Sequence, residues 1–494
     1  MRLPLRVTGR AALVVVSAAS LVVTPAPAFA AGSETASPPT WSITPTPTST
    51  VQASLAGVSC PTSSRCVAVG SDGRYALAET WSHNVWTVAP RPYVGSSASL
   101  NSVSCVSATH CVAVGTYFDG HNGQPLVETW NGTDWSRTPS PRAEIQGDLL
   151  SVSCPSAMRC VTVGETSDGP TTSGLGETWD GTHWSVMHVH DQPLGSHSLL
   201  TGVSCPTPTY CDAVGSVTLP NSITLRLIEN WNGQRWAITP SPTHGSDFNP
   251  FLTAVSCSSV TSCFAVGGAA PGVTLVETWN GTRWSIMHSP NYTTRFYVSA
   301  LAAVSCPSAT SCVAVGTAAE YSSHSEILRT LVETWNGSTW AITPSPNSSG
   351  PQNVSSLDGV SCTTDHCATV GVGSGVYSQT LALSGVVPRR SVTVSWTNAE
   401  NKRLKQMAAY LHLTPAATQK RAVYVTAYLN ALGPSAPTPI KLPPMGAAAT
   451  YTTVWAPNEL AILDSVRVKF ALGSIGATRA SVNVLSYTLA LEGH

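Results

Sequence analysis

Six glutamates stand at one place in a repeated phrase: Glu79, Glu128, Glu177, Glu229, Glu277 and Glu333 each precede Thr-Trp or Asn-Trp. Facing carboxylates are the equipment of glycoside hydrolysis, where one protonates the leaving oxygen and the other attacks or activates water. Six copies of one residue at one position, however, do one task six times, and that task reads as structural. Alternation puts Leu275, Glu277 and Trp279 on the same face of a strand, so the carboxylate is partly buried and must find hydrogen-bond donors. The serine of each Val-Ser-Cys, Ser256 or Ser305 for example, is the expected donor.

Cysteine is the other recurrent reactive type. Six pairs have five residues between their members: Cys60/Cys66, Cys105/Cys111, Cys154/Cys160, Cys205/Cys211, Cys257/Cys263 and Cys306/Cys312, while Cys362/Cys367 has four. Each pair brackets a polar turn between two apolar runs, which sets its sulfurs across a hairpin within disulfide reach. Four-thiolate metal sites would need copies in twos, and seven leaves one over. His188, His190, Asp191 and His197 are the densest cluster of metal-ligand types, but the two closest histidines occupy proline positions of the other copies. They read as outer-strand residues, and neither a metal nor a cofactor is expected. No nucleophile elbow, Walker motif or dinucleotide fingerprint occurs.

The elements that carry these residues follow from one unit. Residues 301–306 read as a strand, 312–316 as a second, 330–335 as a third and 340–343 as a fourth, with Asn336-Gly337 at the tight turn before the last. Four short antiparallel strands every 50 residues or so are the signature of propeller blades. Seven copies predict seven blades. The seventh lacks a Trp strand: in 380–385, Leu383 stands for the recurrent glutamate and Gly385 for the first Trp. The missing piece lies near the amino terminus, where Trp41-Ser-Ile-Thr-Pro-Thr-Pro47 matches Trp340-Ala-Ile-Thr-Pro-Ser-Pro346. The first strand is therefore expected to complete the last blade, removing the open edges of the array.

On these residues the chain resembles secreted bacterial β-propeller proteins built from short degenerate repeats. The Gly281-Thr-Arg-Trp284 hairpin, with its counterparts Gly132 to Trp135 and Gly337 to Trp340, is similar to the Gly-to-Trp half of the Asp-box hairpin of sialidase-type propellers. The box carboxylate two residues before the glycine is replaced by Trp with Asn following, and Asp180 is offset by one. The resemblance implies blade hairpins rather than sialidase chemistry.

Loop lengths point to a working face. Three residues always separate the second Cys from its Gly, and in the six complete copies six separate the Glu from the second Trp. The run from Gly to Glu varies from 8 to 16, and that from the second Trp to the next Cys from 18 to 21. Because strand direction alternates, both variable runs lie at one end of the blades, where adaptable loops on a rigid scaffold place a binding site. Tyr117, Phe118, Asp119 and His121 stand there in the second copy, and Tyr321, His324, Glu326 and Arg329 in the sixth. Aromatic faces beside polar groups suit sugar rings. On the innermost strand, the position two before the Val reads Ala56, Asn101, Leu150, Thr201, Thr253, Ala302 and Asp358, so only Asp358 can ionise. Acid/base chemistry along the channel is poorly provided for.

Charge and termini complete the reading. Residues 31–385 hold 11 arginines, no lysine and 22 carboxylates, a net of −11, which argues against nucleic acid as partner. Residues 386–494 hold 11 basic and 4 acidic residues, a net of +7. Residues 1–30, with Arg2, Arg6 and Arg10 before an apolar run and Ala28-Phe29-Ala30 at its end, read as an export signal, and 31–39 as a linker. No later apolar run is long enough to span a bilayer. The propeller should occupy 40–387. Residues 388–494 read as a small basic α+β domain, with a capping box at Thr397 to Glu400, a second helix from Thr414 to Gly433, and strands beyond.

The expected protein is an exported or surface-bound, disulfide-stapled binding or adhesion scaffold whose partner is a glycan, a cell-wall polymer or another surface protein. The alternative is a propeller hydrolase or lyase acting on extracellular polysaccharide.

Overall fold

The computed structural model describes residues 40–47, 52–90, 97–141, 146–167, 171–187, 189, 196–242, 248–270, 272–292, 297–321, 326–348, 354–364, 366–374 and 378–386 of the repeat region. Outside it, residues 12–16, 392–397, 408–413, 421–432, 440–441, 451–453, 466–470 and 479–491 are described. Two compact units emerge, Ser37–Val387 and a second made of Met1–Ala36 with Pro388–His494.

The first unit is a seven-bladed β-propeller. Each blade is a four-stranded sheet, and each innermost strand packs on that of the next blade, the seventh returning to the first. In the sixth blade the strands run Tyr297–Ser308, Ser311–Tyr321, Glu326–Trp335 and Trp340–Ile342, all antiparallel. The second strand is apolar throughout its first half because both its faces are covered, one by each neighbouring blade.

The cysteines pair as their spacing predicts. Cys60–Cys66, Cys105–Cys111, Cys154–Cys160, Cys205–Cys211, Cys257–Cys263, Cys306–Cys312 and Cys362–Cys367 are all bonded, with Cα atoms 4.0–4.1 Å apart across the hairpin that joins the first two strands. The polar turn between the members of a pair is exposed, but the second cysteine is not. Cys66, Cys111, Cys160, Cys211, Cys263, Cys312 and Cys367 are buried in the blade core and present no sulfur to a ligand at the surface. The cause is the neighbouring blade, whose second strand covers the bond: Ala368 lies over Cys66, Phe264 over Cys312 and Val313 over Cys367. In the fold these bonds staple the first two strands of each blade.

The variable residue two before each Val proves to be a β-bulge. Register slips there in every innermost strand, around Ala56, Asn101, Leu150, Thr201, Thr253, Ala302 and Asp358. The bulge presses the inner strand onto the glycine that ends each Val-Gly. A Cβ on Gly316 would lie 2.0 Å from the Ala300 carbonyl oxygen, and the other six glycines are placed alike. That contact explains why the dipeptide recurs.

Closure is by the amino-terminal strand. Thr40–Ile43 pairs with the third strand of the seventh blade, Trp41 opposite Gly385 and Ile43 opposite Leu383. In the other six blades two tryptophans meet at this place, their rings 5.4–5.8 Å apart. Here the Trp41 ring fills the space itself, so close that a Cβ on Gly385 would lie 2.7 Å from it. Gly385 is therefore the complement of the closing strand.

In the second unit every described residue is extended, which differs from the helical reading of that region. Ala408–Leu413 and Arg421–Leu432 are strands, and Ala12–Val16, within the segment read as an export signal, pairs with the former. Residues 421–432 alternate Val423 and Val425 with Tyr424, Thr426 and Tyr428. Residues 398–407 and 414–420, where the two helices were expected to begin, lie outside the described residues.

Candidate functional site

The recurrent glutamates lie between blades, fully buried, and their donors differ from the expected ones. Ser140 donates to Glu177 Oε1 at 2.7 Å, Ser241 to Glu277 Oε1 at 2.8 Å and Ser289 to Glu333 Oε2 at 2.7 Å. Each donor is the serine of a Ser-Pro that follows the outer strand of the preceding blade. The Val-Ser-Cys serines sit on the innermost strand, two strand spacings of nearly 5 Å from the glutamate of their own blade and out of reach. They serve a different purpose: Ser59, Ser104, Ser153, Ser204, Ser256, Ser305 and Ser361 each accept the backbone N–H of the next blade's first cysteine at 2.9–3.0 Å. The ladder has one rung per blade junction and runs completely around the ring.

Charge compensation of the glutamates is uneven. Glu277 meets Arg226 Nε at 3.0 Å, both side chains buried. Glu79, Glu128 and Glu333 each keep one carboxyl oxygen without a hydrogen-bond partner. Burial pushes all three up to about 7, opposed at Glu128 by Arg137 and at Glu333 by hydrogen bonds from Ser289 and Thr274. In the seventh blade Leu383 removes the group altogether. These carboxyls are buried parts of the blade junctions.

The residues singled out at the variable end fall on separate blades. In the second blade Phe118 is exposed, and the Arg137 guanidinium lies 4.1 Å over the Tyr117 ring. Asp119 is committed to its own turn, accepting the backbone N–H of His121 at 2.7 Å and of Asn122 at 2.8 Å, and the Gln124 amide at 3.1 Å. Those hydrogen bonds, the backbone ones first, hold its carboxyl below the usual range. In the sixth blade Tyr321 is exposed and Arg329 pairs with Glu320 at 3.3 Å. Glu326 begins the third strand opposite Tyr321; His324 lies outside the described residues. Among the described residues these two groups lie on the non-adjacent second and sixth blades.

Asp358 is the bulge residue of the seventh blade, with the Ser356 hydroxyl 3.4 Å from Oδ2 and its carboxyl pushed up to about 6 by burial. At the equivalent position Asn101, Thr201 and Thr253 donate to the carbonyls of Leu149, Leu252 and Leu301 in the next blade. An ionised aspartate cannot do so. Of the histidine cluster, His197 Nδ1 accepts the Thr172 backbone N–H at 3.3 Å, and the other three members lie outside the described residues.

Two features of the variable end were invisible in the sequence. Asp148 and Glu165 are cross-strand neighbours in the third blade, and burial raises both; Asp148 is also bound by Asn101 and Thr116. The second is a cleft of 370 Å³ between the fifth and sixth blades, walled by Phe251 and Val298 over a floor of Gly268, Ala269 and Ala300. Its rim includes Asn249 in a left-handed conformation, φ 45°. Glycines and alanines carry no chemical signal in a sequence, and here they make the cleft by being small. The second strand of the sixth blade continues past the cleft wall, where Ala319 pairs with Val298, to Glu320 and Tyr321.

The fold and this face define a class, the seven-bladed β-propeller with short disulfide-clipped blades. No protein-family model and no curated protein matches the chain. Among solved structures it is similar to YCF48 bound to D1 peptide, at 13% identity over 74% of this chain and 99% of that one, with a TM-score of 0.44. YCF48 from Cyanidioschyzon merolae gives 13% identity, 70% and 98% coverage and a TM-score of 0.42. The Aleuria aurantia lectin in complex with Fucα1-6GlcNAc gives 10% identity, 60% and 96% coverage and a TM-score of 0.38. Likeness at this level carries no argument about ligand or activity.

Proposed function

We propose that this propeller is an exported binding scaffold that takes a carbohydrate or cell-envelope ligand at its variable end, in the cleft between the fifth and sixth blades. The observation that carries the reading is the cleft itself, an apolar recess beside the exposed ring of Phe251 on the end whose loops vary. An aromatic face beside polar groups, here Phe251 with Asn249 and Ser299, suits the apolar face and hydroxyl edge of a sugar ring. Seven disulfides support an oxidising, extracytoplasmic setting. Among the described residues no helix is long and apolar enough to cross a membrane.

A screen of the folded chain against glycans and cell-wall polymers tests this. Saturable binding weakened about tenfold or more by Phe251→Ser and by Asn249→Ala, at unchanged melting temperature, is the expected result. Binding indifferent to both substitutions would remove the cleft from the account. The hydrolytic alternative rests on Asp148 and Glu165 and predicts polysaccharide cleavage abolished by Glu165→Gln.

A further inference from the structure

The repeat is broken at one blade junction in a way that places an acid against a disulfide. At the residue after the second cysteine, the blades read Val67, Val112, Val161, Asp212, Phe264, Val313 and Ala368. Where the residue is valine it packs on the next blade's disulfide, as Val67 does on Cys111 and Val112 on Cys160. In the fourth blade Asp212, 1% exposed, takes that place. Its Oδ2 lies 3.3 Å from Cys263 Sγ and 3.5 Å from Cys257 Sγ. Both sulfurs are in the Cys257–Cys263 disulfide, so the three residues are not a metal site despite their closeness.

The position of the proton follows from the inventory of donors. A disulfide sulfur carries no hydrogen, so a hydrogen bond across this contact requires a proton on the carboxyl. Oδ1 already accepts the Asn230 amide at 3.1 Å, an amide oriented by its second bond to the Cys211 carbonyl. Asn230 is itself a departure, standing where the other Glu-containing blades carry Thr. When the carboxyl is protonated, Oδ2 is the oxygen free to carry the proton toward sulfur. Consistently, burial pushes Asp212 up to about 6, with Asn230 and Tyr210 opposing. Among the described residues, the titratable neighbour is Tyr210 on its own strand, whose phenol is raised first by burial and then by Asp212. No described cation pairs with Asp212.

We propose that Cys257–Cys263 is a thiol-exchange site, with Asp212 the acid that protonates the departing sulfur and a dithiol the partner. Cys263 is fully buried and Cys257 partly exposed, so the incoming thiolate meets Cys257. Its attack forms a bond to Cys257 Sγ and breaks the bond to Cys263, which leaves with the electron pair and takes the proton from Asp212 Oδ2. The second thiol of the partner then displaces Cys257 as a thiolate, protonated from water, and closes the partner's own disulfide. Two electrons pass from the dithiol to the protein. An ionised Asp212 would repel the incoming thiolate and have no proton to give, so the advantage fades as pH rises through 6 to 8.

Limited reduction of the folded chain with dithiothreitol, followed by alkylation and peptide mass mapping, tests the proposal within one molecule. Cys105–Cys111 and Cys154–Cys160 share the partly exposed first cysteine and face valine, so they are internal references that cancel the reagent's own ionisation. Cys257–Cys263 is expected to open about tenfold or more faster than either at pH 5, with the ratio falling several-fold by pH 8. In Asp212→Val, which installs the residue of the other blades, and in the isosteric Asp212→Asn, the ratio should be about one at both pH values. A ratio near one in the unsubstituted chain, a ratio unchanged by either substitution, or opening of all seven in step through unfolding would each overturn the proposal.

Discussion

Glu333 shows how a residue that resembles catalytic equipment becomes a titrating joint. One oxygen takes the Ser289 hydroxyl and the other has no partner, while burial raises the carboxyl from 4.5 to about 7. A folded-state value above the unfolded one means that the group's contribution to stability is complete below about 4.5 and is lost as pH rises through about 7. Glu79 and Glu128 behave alike, so the propeller should melt higher at pH 5 than at pH 8, as far as these three groups decide. Glu333→Gln keeps the shape and removes the ionisation. It is expected to stabilise the protein at pH 8 by about 1–3 kcal/mol and to change little at pH 5. Denaturant unfolding at the two pH values measures this, and equal effects at both would contradict it. The sequence told that these glutamates are structural but not which serine serves them, because the partner lies on a neighbouring blade whose register no single repeat reveals.

At the scale of elements, the blades were legible because the pattern is written seven times. The paired cysteines, the Val-Gly and the Asn-Gly turn each have a local cause, and Gly337 has the positive φ that its turn requires. The seven-residue strand match of 41–47 to 340–346 identified the closing strand for the same reason. Bulges escaped notice: a varying residue looks like tolerance, whereas Asn101, Thr201 and Thr253 use the bulge to reach the next blade. The cleft escaped because its floor is Gly268, Ala269 and Ala300. In the second unit a single copy offers no repetition, so its sequence carries less of its fold than the blades do. One prediction belongs here. Gly316→Ala would force a methyl to within 2.0 Å of the Ala300 carbonyl, so the innermost strand must shift. A loss of about 3 kcal/mol or more is expected by denaturant unfolding, whereas a surface substitution such as Ser338→Ala should cost well under about 1 kcal/mol.

For the whole molecule, the ring is the unit of stability. The serine ladder links every blade to the next without a break, and the glutamate contacts add a second set at several junctions. Completion of the seventh blade depends on four residues far away in sequence, Thr40–Ile43, anchored by the buried Trp41 against Gly385 and by Thr44 N–H on the Ala382 carbonyl at 2.9 Å. The measurement that tests the account most directly is complementation of the closing strand. A chain beginning at residue 48 should melt roughly 10 °C lower than one beginning at residue 37. A peptide covering residues 37–48 should bind it and restore most of the loss, while the same peptide with Trp41→Ala should not. A truncated chain that melts unchanged, or one that the peptide leaves unaltered, would contradict a ring closed by this strand.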